Sequence, residues 1–116
     1  MSTNRQNFEI SFDVYVGTTK ELELEIIDPD TGLAKDITDT NLYTSGVVQI
    51  LMPDETQIGA DIPISFTERA NSIILFTITS THTTSANAGN WIGKAVFKNI
   101  SSVVIDQQKF GLNILQ

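Results

Sequence analysis

Apolar and polar residues alternate along most of this chain with the two-residue period of β-strands. From Phe8 to Val16 the apolar residues occupy every second position, and polar residues fill most of the positions between them. Residues 20–27 repeat the pattern, with the row Glu21, Glu23 and Glu25 on one side and leucines on the other. Segments of this kind form strands with one face in the core and one face in water. The pattern therefore predicts two strands in the first 27 residues.

Further strand-like segments follow, and turn residues separate them. Strands are predicted over residues 43–52, 58–66, 73–79, 91–98 and 103–115. The breaks carry proline, glycine and aspartate, as in Asp28-Pro-Asp-Thr-Gly32. Pro63 lies inside one segment and predicts an edge strand or a broken one, because proline has no N–H to donate.

These elements predict an all-β protein, an antiparallel immunoglobulin-like β-sandwich of seven or eight strands. A small closed barrel is the alternative architecture. A chain of 116 residues is the size of one domain. We expect a flexible N-terminal arm over residues 1–7 and one sandwich domain over residues 8–116.

The last predicted strand changes parity along its length. Val103 and Ile105 share one parity, whereas Phe110 and Leu112 share the other. A β-bulge inserts one extra residue and shifts the side-chain alternation at that point. We therefore expect a bulge near residues 106–108.

Composition excludes several classes of function. The chain has no cysteine and one histidine, so it lacks a disulfide framework, a thiolate nucleophile and a multi-histidine metal site. Its net charge of −7 argues against nucleic-acid binding, which needs a basic surface. Residues 1–61 hold twelve acidic and three basic side chains, and residues 62–116 hold two acidic and four basic ones. No signal peptide and no apolar run of membrane-spanning length is found, so we expect no membrane partner.

Two sets of polar residues are candidates for a site. Asp28, Asp30 and Asp36 form a weak calcium candidate, although the glycine and glutamate spacing of an EF-hand is missing and a plain turn is favoured. His82 lies in a Ser/Thr-rich loop without a neighbouring acid, and we expect it to be solvated rather than catalytic. We predict no catalytic residue, no cofactor and no metal. The glutamate row is predicted to be a solvated face that discourages edge-to-edge pairing.

Aromatic residues are the candidates for contact with a partner. Tyr15 lies on the outer parity of its strand, and Tyr43 stands at the start of another. Trp91 shares parity with Ala95 and Phe97, so we place it in the core, although an aromatic platform for a sugar ring is the alternative. Tyr15 and Tyr43 are therefore the predicted contact residues.

The order of motifs resembles the small immunoglobulin-like structural domains of tailed bacteriophages. The first half of that pattern is matched by Gly17, Leu22, Leu24, Asp28, Gly32 and Asp36-Ile37-Thr38. The second half is matched by Ala88-Gly89-Asn90-Trp91 after a threonine-rich loop. The chain departs from the pattern at Asn71-Ser72, where a glycine commonly precedes the next strand.

The resemblance implies a non-enzymatic virion protein, made in the host cytoplasm, that acts as an adaptor or decoration subunit. Such domains occur in baseplate, neck, tail and capsid decoration proteins, and their partners are other virion proteins in a symmetric assembly. The resemblance brings no active-site residues. A carbohydrate- or receptor-binding module is the alternative function, because one sandwich fold serves many uses.

Overall fold

The computed structural model describes residues 10–116, and these residues form seven strands. The strands are β1 (Ser11–Tyr15), β2 (Lys20–Glu25), β3 (Ser45–Leu51), β4 (Gln57–Pro63), β5 (Ile73–Ile78), β6 (Gly89–Lys98) and β7 (Val104–Leu115). Two short 3₁₀ turns, Arg69–Asn71 and Ser85–Asn87, are the helical elements of this part of the chain. No helix among residues 10–116 has the length and apolar character needed to span a membrane. The predicted boundary between residues 7 and 8 lies outside the described residues.

The strands form two sheets that pack face to face. The larger sheet has the order β1-β7-β6-β3-β4, and the smaller one pairs β2 with β5. This division of seven strands between two sheets is that of an immunoglobulin-like β-sandwich, so the predicted fold class is confirmed. β4 lies at the edge of the larger sheet, which confirms the placement of Pro63 on an edge strand.

One strand pair differs from the antiparallel prediction. β1 runs parallel to β7, with Ser11 opposite Gly111 and Tyr15 opposite Leu115. The other strand pairs are antiparallel. Alternation along a strand indicates which side chains face the core, but it carries no information on the direction of the neighbouring strand.

The core is formed by the inward-facing residues of both sheets. Its fully buried members are Val14, Leu24, Ile26, Ile37, Val48, Ile50, Ile74, Ile78, Ala95, Phe97, Phe110, Leu112 and Ile114. Phe12 packs edge-to-face on Phe76 and on Phe110, with ring centroids 6.2 and 5.5 Å apart. Because these rings come from β1, β5 and β7, their contacts hold the two sheets together.

Gly93 makes room for the ring of Phe110 in this core. It pairs with Phe110 across β6 and β7. A Cβ atom at position 93 would lie 2.1 Å from the Cζ atom of Phe110, closer than non-bonded carbons can approach. The absence of a side chain at Gly93 is therefore what allows the outer edge of the Phe110 ring to lie over the backbone of β6.

The predicted bulge in the last strand is present but lies before residues 106–108. The register between β6 and β7 shifts where Phe97 pairs with Asp106 and Lys98 with Val104, so Ile105 is the extra residue. Val103 and Ile105 are 55% and 37% exposed.

The loops collect at the two ends of the sandwich. The apical end carries the β2–β3 loop (residues 26–44), the β4–β5 loop (64–72) and the β6–β7 loop (99–103). The basal end carries the β1–β2 turn (16–19), the β3–β4 turn (52–56) and the β5–β6 loop (79–88). In immunoglobulin-like domains the loops at one end commonly form the binding surface.

The packing at Gly93 gives a direct test of this core. The substitution Gly93→Ala should lower the free energy of unfolding by about 2 kcal/mol or more, because the new methyl group displaces the Phe110 ring. Urea denaturation measures the change. The control Asn90→Ala, at an exposed position of the same strand, should change it by less than about 0.5 kcal/mol. Equal stabilities of the two variants would contradict the described packing.

Candidate docking surface

Five exposed apolar side chains lie in two apical loops and at the start of β7. We call this set the apical patch, and its members are Leu42, Ile100, Val103, Val104 and Ile105. Ile100 is 67% exposed. The patch joins two loops, because the Ile100 N–H donates to the carbonyl of Asn41 at 3.0 Å. Grouped apolar side chains in water mark a surface suited to another protein.

The β6–β7 loop is held rigidly by the side chain of Asn99. Its amide oxygen accepts hydrogen bonds from the N–H groups of Ser101 and Val103, at 2.9 and 3.1 Å. The Asn99 N–H donates to the Val103 carbonyl, and Ser102 adopts a left-handed conformation with φ of 61°. These bonds satisfy the turn internally and leave the Ile100 and Val103 side chains pointing outward.

The second loop of the patch is held in a similar way by Asp39. Its carboxylate accepts from the N–H groups of Asn41 and Leu42, at 2.9 and 3.3 Å. The Thr44 N–H donates to the carbonyl of Lys98, so this loop is also fixed to β6. The apolar side chains are thus presented by loops that are ordered before any partner binds, which lowers the entropy cost of docking.

A cluster of three polar side chains fixes the β2–β3 loop to β7. The Asp106 carboxylate accepts from the Lys35 ammonium at 2.6 Å and from the Tyr43 hydroxyl at 3.0 Å. The hydrogen bond to Asp106 raises the pKa of Lys35 above its ordinary value. Burial is the main cause of the raised pKa of Tyr43, and its bond to Asp106 adds to the effect. Both protonated forms are therefore favoured in the folded chain.

Tyr43 is not a contact residue, which corrects the sequence prediction. Its side chain is 5% exposed and packs edge-to-face on Phe97, with ring centroids 5.4 Å apart. Its hydroxyl is satisfied by Asp106, so both the ring and the polar tip belong to the interior. Tyr15, the other predicted contact residue, is 61% exposed at the basal end of β1.

The predicted calcium candidate does not form a site. The Asp28 carboxylate accepts from the N–H of Asp30, and the Asp36 carboxylate accepts from the N–H and hydroxyl of Thr38. These aspartates therefore stabilise their own separate turns. The bonds from Thr38, first from its hydroxyl, lower the pKa of Asp36. No group of three or more histidine, aspartate or glutamate side chains within residues 10–116 is placed to hold a metal ion.

His82 is buried, which corrects the prediction of a solvated loop histidine. It is 7% exposed and packs against the backbone of Gly59 in β4.

The glutamate row Glu21, Glu23 and Glu25 is exposed along β2, as predicted, and neither of the two ion pairs within residues 10–116 involves it. Trp91 packs against the core, and its indole N–H donates to the carbonyl of Asn87.

The sequence prediction missed the apical patch. The sequence analysis explained the parity difference between Val103 and Phe110 by a bulge and gave no exposed role to residues 103–105. The same disagreement in parity is a usable signal that this segment lies outside the core. Nothing in the local pattern indicated that the loop of Leu42 would lie beside the β6–β7 loop, because the hydrogen bond from Ile100 to Asn41 joins residues far apart in the chain.

Comparisons with known proteins give similarity at the level of fold. No protein-family model and no curated protein matches the chain. Among solved structures, it is similar to a titin I-band fragment with 16% identity and a TM-score of 0.40, over 94% of this chain and 31% of the fragment. It is also similar to the PKD domain of the KIAA 1837 protein with 11% identity and a TM-score of 0.38, over 99% of this chain and 89% of that domain. The chain therefore spans less than a third of the titin fragment.

The polar cluster predicts a loss of stability at alkaline pH. Because the folded chain holds the protons of Lys35 and Tyr43 longer than the unfolded chain, their stabilising contribution is complete at neutral pH and begins to be lost once the pH passes the ordinary pKa values of about 10 for tyrosine and about 10.4 for lysine. The substitution Asp106→Asn should lower the free energy of unfolding by about 2 kcal/mol at pH 7.5 and weaken the decline between about pH 9 and about pH 11.

Urea denaturation at the three pH values measures both effects. The control Asp30→Asn removes an exposed acid at the same end and should keep the alkaline decline. A decline of the same size in the Asp106→Asn variant would show that the cluster does not contribute.

Proposed function

We propose that this protein is a non-enzymatic structural subunit of a tailed-bacteriophage virion, which docks on neighbouring virion proteins as an adaptor or decoration subunit. The observation that carries the proposal is the apical patch. Its exposed apolar side chains lie largely on two loops, and each loop is held by hydrogen bonds from one of its own side chains. The resemblance of the motifs from Gly17 to Trp91 to phage structural domains supports the choice of a virion as the assembly.

Docking through the apical patch is favoured by its chemistry. Removing Ile100, Val103 and Leu42 from water is the main favourable contribution, at about 25 cal/mol per Å² of apolar area. Because Asn99 and Asp39 already order the loops, little conformational entropy is lost on binding. Stable protein interfaces bury about 800 Å² on each partner, so we expect the neighbouring apical surface to contribute as well.

The alternative of a carbohydrate-binding module is weakened by the position of Tyr43. A sugar platform needs exposed aromatic faces, and the ring of Tyr43 lies against Phe97 in the interior. Tyr15 is exposed but lies at the other end of the sandwich.

The presence of the chain in particles is the first test of the proposal. Quantitative mass spectrometry of purified particles should detect it at a fixed copy number that is a multiple of the particle symmetry. Hundreds of copies would indicate capsid decoration or a tail accessory role, and six or twelve copies would indicate the neck or the baseplate. Absence of the chain from purified particles would contradict the proposal.

The role of the apical patch has a separate test. The double substitution Ile100→Ser and Val103→Ser should reduce incorporation into particles by about tenfold or more, because both side chains lose their apolar contact area. Its thermal stability should be close to that of the unmodified protein, since both residues are exposed. Complementation followed by particle purification and immunoblotting measures incorporation.

The matched control is Tyr15→Ser, which removes an exposed aromatic side chain at the basal end. This variant should be incorporated normally. If Tyr15→Ser abolished incorporation and the apical double variant did not, the docking surface would lie at the basal end instead.

A further inference from the structure

The outer face of the smaller sheet is acidic. Glu21, Glu23 and Glu25 point outward from β2, because Leu22 and Leu24 between them are buried in the core. They stand opposite uncharged, half-buried positions of β5. The outward positions of these two strands, all of which the structure describes, carry no basic residue. We call the three glutamates the acidic face.

The outer face of the larger sheet carries lysines instead. Lys94 and Lys98 point outward from β6, because they alternate with Ala95 and Phe97, which are fully buried. Lys109 stands directly opposite Lys94 on β7. We call these three lysines the lysine face. The molecule thus carries opposite charges on the outer faces of its two sheets.

The acids around the lysine face are already bonded. Asp106 is the one acid among the residues of β3, β6 and β7, and it binds side chains of the β2–β3 loop. Asp13 and Asp61 lie on the edge strands β1 and β4, and each accepts a hydrogen bond from a neighbouring amide side chain. A carboxylate oxygen of Glu55 lies 3.7 Å from the Nζ atom of Lys109. The centre of the larger sheet therefore presents positive charge.

Each face holds like charges that repel one another. Lys94 and Lys98 take part in neither ion pair within residues 10–116, and Lys94 stands beside Lys109 across the strands. The glutamates of the acidic face are also outside both ion pairs. Like charges at neighbouring positions of a sheet are unfavourable. A partner that brings the opposite charge to either face would relieve this repulsion.

The two faces match in the spacing of their charges. A strand rises about 3.3 Å per residue, so residues four apart lie about 13 Å apart along it. Glu21 and Glu25 have this separation on β2, and Lys94 and Lys98 have it on β6. Two carboxylates of one copy can therefore stand over two ammonium groups of another copy at the same time.

We propose that copies of this chain associate face to face, with the acidic face of one copy on the lysine face of the next. The contact joins two different surfaces, so it extends into a ring or an open stack. Charge complementarity sets its register. Half-buried apolar side chains lie next to both faces and supply apolar area, Ile73 and Leu75 beside the glutamates and Val47 beside Val96. The apical patch takes no part, so this inference does not rest on the proposed function.

The net charge of −7 opposes association of copies, so the test compares variants of equal net charge. The double substitution Glu21→Lys and Glu25→Lys reverses the acidic face. The control Asp30→Lys and Glu68→Lys makes the same change in charge at exposed positions of two apical loops. Sedimentation equilibrium at an ionic strength of about 50 mM measures the association constant of each protein.

The unmodified protein should associate as its concentration rises. Reversal of the acidic face should lower the association constant by about tenfold or more, because like charges then meet across the contact. The control should associate at least as strongly as the unmodified protein, since its net charge is smaller. An unmodified protein that stays monomeric up to about 1 mM would overturn the proposal, and so would equal association constants of the two double variants.

Mixing two variants gives a second readout. The double substitution Lys94→Glu and Lys98→Glu reverses the lysine face and should weaken self-association in the same way. Mixed in equal amounts with the Glu21→Lys and Glu25→Lys variant, it should associate again, because each positive face of one variant meets a negative face of the other. A mixture that stays monomeric would overturn the proposal. If the lysine-face variant does not fold, as circular dichroism would show, the acidic-face variant and its control decide.

The apical variant separates this contact from docking through the apical patch. The double substitution Ile100→Ser and Val103→Ser should leave the association constant unchanged, because neither residue belongs to the two faces. If it abolished association while the acidic-face variant kept it, copies would contact each other through the apical patch and the proposal would be wrong.

Discussion

The carboxylate of Asp106 is the contact on which the apical end of the molecule depends. It binds Lys35 and Tyr43 from the β2–β3 loop, and its second oxygen accepts the N–H of Gln107. Gln108 adds a further connection, because its side chain bonds the Ile27 N–H and the Glu25 carbonyl. A loop of 19 residues is thereby fixed to β7 by a few hydrogen bonds from adjacent side chains. The buried side chains of Ile26, Ile37 and Tyr43 hold the same loop on the core.

The two ends of the sandwich differ in how their surfaces are used. At the apical end, the polar side chain of Asn99 forms hydrogen bonds within its own loop, and aliphatic residues such as Ile100 and Val103 are exposed to solvent. Polar side chains are buried at both ends, Ser72 at the apical end and His82 and Thr83 at the basal end. The exposed aliphatic residues of the apical end suit a surface that docks on another protein.

Most of the fold was predictable from the sequence, because strand alternation and turn residues are local signals. The inward positions of Leu22, Leu24 and Phe97 followed from parity, and the edge position of β4 followed from Pro63. Burial of Tyr43 was not predictable, because its acceptor Asp106 lies 63 residues away. The apical patch and the burial of His82 likewise depend on which loops meet at each end, and that is decided by tertiary pairing.

The central claim is that the apical patch is the docking surface of a virion subunit. Electron cryomicroscopy of purified particles, at a resolution that distinguishes the two ends of the sandwich, tests it most directly. The account predicts that Leu42, Ile100 and Val103 contact a neighbouring virion protein. Density that places the apical loops in solvent and the basal end against the neighbour would contradict it.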